Sequence, residues 1–129
     1  MRVLYVDDDL DDVEIFQMAL RKVDPNIDCV VAENGVEALK LLESFIPDHA
    51  FIDINMPILN GCQLLAEIKS HAPWRNIPVV MLSTSASTKD IEFASQFEVL
   101  YIEKPMNLDE FVILLREVLK PTLNAMGGR

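Results

Sequence analysis

Two spacings of apolar residues alternate along this chain. Unbroken apolar runs occur at Val3–Val6, Cys29–Ala32, Ala50–Asp53 (the last position acidic), Ile77–Leu82 and Val99–Ile102. Runs this short, rich in β-branched and aromatic residues, read as strands covered on both faces. Between them apolar residues recur at helical spacing: Val13, Phe16, Leu20 and Val23; Val36, Leu39 and Leu42; Leu64, Leu65 and Ile68; Ile91 and Ala94; Leu108, Phe111, Val112, Leu115 and Leu119. Each set lines one face of an amphipathic helix. The fourth is short and poorly anchored, and is expected to be the least stable element.

Punctuation residues agree with this division. Asp9 suits the N-cap of the first helix, and Asp11, Asp12 and Glu14 put negative charge in its first turn. Asp24-Pro25-Asn26 stops that helix, Asn34-Gly35 and Asn60-Gly61 open the next two, and Ser87 or Thr88 caps the fourth. Pro78 stands near the start of its strand, where a missing N–H is tolerated. Asn107 with Glu110 three residues on forms a capping-box-like start to the last helix, which Pro121 is expected to end. Strand then helix, five times over, predicts a doubly wound α/β domain with a parallel five-stranded sheet and helices on both faces. The domain is expected to occupy residues 1–120, with 121–129 a short C-terminal tail.

In open parallel sheets ligands sit outside the carboxyl ends of the strands. Here those ends carry chemistry: Asp7-Asp8-Asp9 after the first strand, Asp53 closing the third, Ser83-Thr84 after the fourth, and Glu103-Lys104 after the fifth. Converging carboxylates repel unless one is protonated or a cation joins them. Oxygen donors of this kind suit a hard divalent ion such as Mg2+.

Charge narrows the partners. The chain has 129 residues, enough for one well-buried core, and a formal net charge of −10. That sign opposes direct binding to nucleic acid or an anionic membrane. No apolar run approaches the ~20 residues of a membrane span. The N-terminus enters a strand directly, with no signal-peptide core, so a cytoplasmic location is expected. Cys29 and Cys62 lack CxxC spacing and read as a reduced pair of small side chains. His49 and His71 share no ligand spacing, and Trp74 reads as a packing residue.

From Val3 to about Lys120 the chain resembles the receiver domain of bacterial response regulators, the phosphoacceptor half of two-component signalling. The resemblance rests on the acidic pair Asp7-Asp8, on Asp53 followed by Met56-Pro57, on Ser83, on Tyr101 in the fifth strand and on Lys104-Pro105. It implies a flavodoxin-like sheet in order 2-1-3-4-5. It further implies that Asp53 is the phosphoacceptor and that Mg2+ or Mn2+ is held by Asp7, Asp8, Asp53 and the Asn55 carbonyl. Lys104 and Ser83 would attend the phosphoryl group, Ser83 and Tyr101 would form the switch, and Thr84 is a neighbouring alternative to Ser83. The implied donor is a sensor histidine kinase or a histidine phosphotransfer protein, and the output a downstream protein target. Phosphoryl lifetime in this family depends partly on the positions of Asn55 and Ser85.

Other readings compete. A constitutive protein-binding adaptor on the same fold would not need the acids or Lys104. A phosphatase of the haloacid dehalogenase type would need an acid two residues after the nucleophile, where Asn55 stands. A flavodoxin would place a phosphate loop where the chain has acids. One departure is that residues 95–99, Ser-Gln-Phe-Glu-Val, carry no glycine between the fourth helix and the fifth strand.

Overall fold

In a computed structural model of the chain, residues 1–84, 87–97 and 99–125 are described. The strands are β1 (Arg2–Val6), β2 (Asp28–Ala32), β3 (His49–Asp53), β4 (Val79–Ser83) and β5 (Leu100–Glu103). The helices are α1 (Leu10–Val23), α2 (Gly35–Leu42), α3 (Gly61–Ser70), α4 (Thr88–Ser95) and α5 (Leu108–Ala125). All strand pairs are parallel, and the sheet order is β2-β1-β3-β4-β5, the expected flavodoxin-like arrangement. β4 starts two residues later than the apolar run suggested. Ile77 and Pro78 precede it, and the Pro78 carbonyl accepts from the Ala50 N–H at 2.9 Å.

Strand alternation splits the core in two. Val3, Tyr5, Phe51, Val80 and Leu82 point to one face, covered by Phe16 and Leu20 of α1 and by Phe111, Leu115 and Leu119 of α5. Leu4, Val6, Ala50, Ile52 and Met81 point to the other, under Ala38 and Leu42 of α2, Leu64, Leu65 and Ile68 of α3, and Ala94 of α4. Each large side chain so buried stabilises by roughly 1.5–3 kcal/mol. Packing on both faces holds the ends of β1, β3 and β4 side by side, and the candidate site depends on that. The helical faces differ from the periodicity at two places: Val36 and Ile91 are each 43% exposed. Ala94 is the buried residue of α4, with Phe93 half-buried, so that helix is held by few side chains.

The last helix does not stop at Pro121. It runs on to Ala125 with the proline inside it. Proline there forgoes the bond its N–H would make to the Glu117 carbonyl. Tertiary contacts outweigh that loss: Leu119 is fully buried, Leu123 packs on the same core, and Thr122 Oγ1 lies 2.6 Å from His49 Nε2. Residues 122–125, expected in a polar tail, are therefore part of the helix.

His49 carries a pH dependence. Its ring is buried, and Nδ1 has no hydrogen-bond partner among the described residues. Burial lowers its pKa, although the nearby Asp48 carboxylate pulls the other way. Above the unfolded value of about 6.5 neither state holds the proton. As pH falls below it, the unfolded chain takes up a proton that the folded chain resists, so stability is lost until the depressed folded pKa is reached. Thermal melts at pH 7.5 and 5.5 should therefore show a larger drop for wild type than for His49→Gln. Equal drops would contradict this account.

Candidate functional site

The site is assembled from four strand ends. β1 runs out into Asp7, whose N–H donates to the Ala32 carbonyl at 3.1 Å and prolongs the β1–β2 ladder by one residue. The Asp7 carboxylate is fully buried; it accepts from the Tyr5 hydroxyl at 2.6 Å and from the Asp9 N–H at 3.0 Å. Asp8 turns outward and is exposed, while Asp9 caps α1 by accepting from the N–H groups of Asp11 and Asp12. β3 delivers Asp53, 3% exposed, whose carboxylate accepts from the Asn55 N–H at 3.1 Å. β4 delivers Ser83, fully buried, and its carbonyl accepts from the Lys104 N–H at 2.7 Å.

The loop after Asp53 returns tightly. The Gly61 N–H donates to the Ile54 carbonyl at 3.1 Å, and a Cβ on Gly61 would come within 2.6 Å of the Asp53 carbonyl oxygen. Only glycine lets the start of α3 sit this close to the strand end. Ile58 at the loop tip has φ of 68°, a left-handed conformation uncommon for a β-branched residue, and its side chain is 82% exposed.

One cation neutralises part of this cluster. Lys104 Nζ lies 2.8 Å from Asp7 Oδ2, 2.8 Å from Asp12 Oδ2 and 3.5 Å from Asp53 Oδ2. Burial alone would lower the lysine pKa, but hydrogen bonds to Asp12 and Asp7 and the charge of Asp53 prevail and hold it above its ordinary value. Burial pushes the Asp53 carboxyl up to about 6; Lys104 opposes that shift and Asp7 adds to it. Burial and the Asp7 charge raise the Tyr5 phenol, so it stays protonated and donates. One carboxylate oxygen from each of Asp7, Asp8 and Asp53 lies within 4.8 Å of the other two. One lysine leaves this cluster negative. A cation joining these carboxylates would relieve the repulsion that helps hold the Asp53 carboxyl up. The donors are all hard oxygens, which fits Mg2+ or Mn2+.

Asp7, Asp8, Asp53 and Lys104 are thus brought together. Ser83 stands one strand over and donates to Asn55 Oδ1 at 3.3 Å, so Asn55 links Asp53 to Ser83. Thr84, the neighbouring hydroxyl, is exposed. Tyr101 is half-buried against the α2–α3–α4 core, its hydroxyl buried and without a partner among the described residues. Ser85 and Glu98 lie outside the described residues. Two participants were not read as such from the sequence. Tyr5 is two residues before Asp7 on the same face of β1, so strand alternation already aimed its hydroxyl at that carboxylate. Asp12 follows the Asp9 cap by three positions, and side chains there lean back toward the helix N-terminus and the strand ends.

Comparison with known proteins agrees with this geometry. The response regulator receiver domain family matches residues 3–116. Among curated proteins, the probable transcriptional regulator ycf29 of Pyropia yezoensis is 34% identical over 76% of this chain, and the chain spans 47% of that protein. Matched proteins also come from Escherichia coli and Arabidopsis thaliana, so the family does not single out a bacterial source. Among solved structures, the phosphorylated cyanobacterial phytochrome response regulator RcpA is 31% identical, with a TM-score of 0.84 over 92% of this chain and 91% of its own. The Mn2+-bound form of response regulator Rcp1 is 26% identical, with a TM-score of 0.81 over 92% and 91%. Among the described residues no helix is long and apolar enough to cross a membrane.

Proposed function

Because the chain belongs to the response regulator receiver domain family, we propose that it takes a phosphoryl group onto Asp53 and passes the change to a protein partner. The observation that carries this is the meeting of Asp53, Asp7, Asp8 and Lys104 at the carboxyl end of the sheet, with Lys104 3.5 Å from Asp53. An Asp53 carboxylate oxygen forms a bond to phosphorus. The bond from phosphorus to the donor breaks, and the leaving group, a ring nitrogen where the donor is a phosphohistidine, departs with the electron pair and is reprotonated. A histidine kinase or a histidine phosphotransfer protein is the donor of that chemistry. Asp8 and Asp53, with Asp7 and the Asn55 carbonyl, are the residues that would hold Mg2+. When bound, it supplies positive charge toward the phosphoryl oxygens. Lys104 adds a second positive charge there. Incubation with acetyl phosphate and Mg2+ should add one phosphoryl group by intact mass; a protein that gains none, or gains it elsewhere than Asp53, would overturn the reading.

Metal binding has its own signature. At ten times its dissociation constant, Mg2+ should stabilise by about 1.4 kcal/mol if it binds only the folded state. Asp8→Ala removes the exposed ligand without disturbing the buried core, so the Mg2+-induced rise in melting temperature should vanish. A rise that survives in Asp8→Ala would place the cation elsewhere.

Ser83 and Tyr101 are the proposed relay. A phosphoryl group adds roughly −1.5 to −2 charges and strong acceptors. Ser83, which now donates to Asn55, is placed to donate to it instead, and the shift would open room for Tyr101 behind β4. The surface of α4, β5 and α5 would then differ between states, and a partner would sense phosphorylation by its differential affinity for them. Ser83→Ala should still accept the phosphoryl group. Its amide-exchange response to beryllofluoride around Tyr101 should be less than half that of wild type. A full response would remove Ser83 from the relay.

A further inference from the structure

Asp12 has a place in the acid cluster that none of the family-matched positions supplies. It lies on the first turn of α1, and its Oδ2 is 2.8 Å from Lys104 Nζ, as close as Asp7 and closer than Asp53 at 3.5 Å. The three carboxylates are not equivalent partners. Asp7 is fully buried and is tied by bonds from Tyr5 and Asp9, so it cannot release the lysine without leaving a charge stranded. The Asp12 side chain is 27% exposed, so solvent can take over its carboxylate when the lysine leaves. An ammonium has three donors. In this structure two are committed to Asp7 and Asp12, and Asp53 receives the longest contact.

We propose that Asp12 is a positioning residue that restrains phosphorylation through Lys104, holding the ammonium at the edge of the site until a phosphoryl group on Asp53 draws it away. The inference rests on the acceptor reading above. Phosphorylation puts a larger negative charge and more acceptor oxygens beyond Asp53. Asp7 and the phosphoryl group are then the stronger partners of Lys104, and the exposed Asp12 is the one given up. Asp12 also adds negative charge beside an incoming anion. Removing its charge while keeping its shape should therefore favour the phosphoryl state and, by the same charge change, disfavour the cation. A residue that merely supported the fold would not move anion and cation binding in opposite directions.

The experiment is a beryllofluoride titration at saturating Mg2+, read by amide chemical shifts, beside a Mg2+ titration read by thermal melting. Asp12→Asn should bind beryllofluoride about three- to fivefold more tightly than wild type, the equivalent of a part-exposed ion pair. Its Mg2+ midpoint should rise by about twofold. Asp12→Glu, which restores the charge, should lie nearer wild type in both. In a Lys104→Met background at saturating Mg2+, the Asp12→Asn gain should fall to less than half, leaving only the direct charge effect of Asp12, because the lysine carries most of it. Unchanged or weaker beryllofluoride binding in Asp12→Asn overturns the proposal, and so does a full gain without the lysine. A wild type that does not bind beryllofluoride overturns the acceptor reading together with this one. A wild type that binds it no differently from Asp12→Asn overturns this one alone.

Discussion

Lys104→Met should lower the stability of the metal-free protein by about 2–3 kcal/mol, and Mg2+ should restore much of the loss. Lys104 is 6% exposed and is the cation against buried Asp7, part-buried Asp12 and buried Asp53. Removing one partner of a buried ion pair typically costs 3–5 kcal/mol, because the other charge is left desolvated and unpaired. The cost here falls below that range because Asp53, already pushed up to about 6, can take a proton and relieve the repulsion. For a domain of this size the loss is a drop of roughly 10 °C in melting temperature. A divalent cation held by Asp7, Asp8 and Asp53, as proposed, would replace the missing positive charge, so melts with and without Mg2+ should differ more in the variant than in wild type. A metal-free melt within a degree or two of wild type would mean that the lysine does not carry the electrostatics assigned to it.

Asp53→Asn should act in the opposite sense on stability while removing phosphoryl acceptance altogether. The Asp53 carboxyl is raised from 3.8 to about 6 by burial first, with Asp7 adding to the effect against the pull of Lys104. The sign follows from the proton count. Below the unfolded value both states hold the proton, and Asp53 contributes nothing unfavourable. Between about 4 and 6 the unfolded chain releases its proton while the folded chain retains it, so stability falls as pH rises and stays lower above 6. Asparagine keeps the shape without the charge, so at pH 7.5 the variant should be more stable than metal-free wild type by about 1–3 kcal/mol, the upper end corresponding to the full shift from 3.8 to about 6. The gain should disappear near pH 4. Intact mass after acetyl phosphate and Mg2+ should show no added phosphoryl group. A variant that is still phosphorylated would move the acceptor elsewhere, and one destabilised at pH 7.5 would contradict the raised Asp53 pKa.

Much of this was legible along the chain because it is local. Unbroken apolar runs and helical spacings decide strand and helix from neighbours a few residues apart, and strand–helix alternation leaves a parallel sheet as the solution that buries both kinds of face. The order β2-β1-β3-β4-β5 follows the family resemblance, and with it the meeting of Asp7 and Asp8 after β1, Asp53 closing β3 and Lys104 after β5, because all four stand at the carboxyl ends of strands. Asp9 as the α1 cap and Asn60 at the start of α3 are likewise short-range, since donor and acceptor lie within three residues.

What needed the folded molecule is what depends on distance through space between residues far apart in sequence. Pro121 looked like a stop because local rules penalise proline inside a helix. His49, 73 residues before its partner Thr122, and the core beneath Leu119 and Leu123 hold the last turns in place regardless. Asp12 looked like a first-turn charge serving the helix dipole. Its partner, Lys104, is 92 residues on, and only the packing of α1 and α5 over one face of the sheet brings the two to 2.8 Å. The amino-acid sequence by itself determined which groups stand at the strand ends. Tertiary structure decided how Lys104 divides its donors among three acids, Asp7, Asp12 and Asp53, because that division is set by differences of less than an ångström and by which carboxylates keep contact with water.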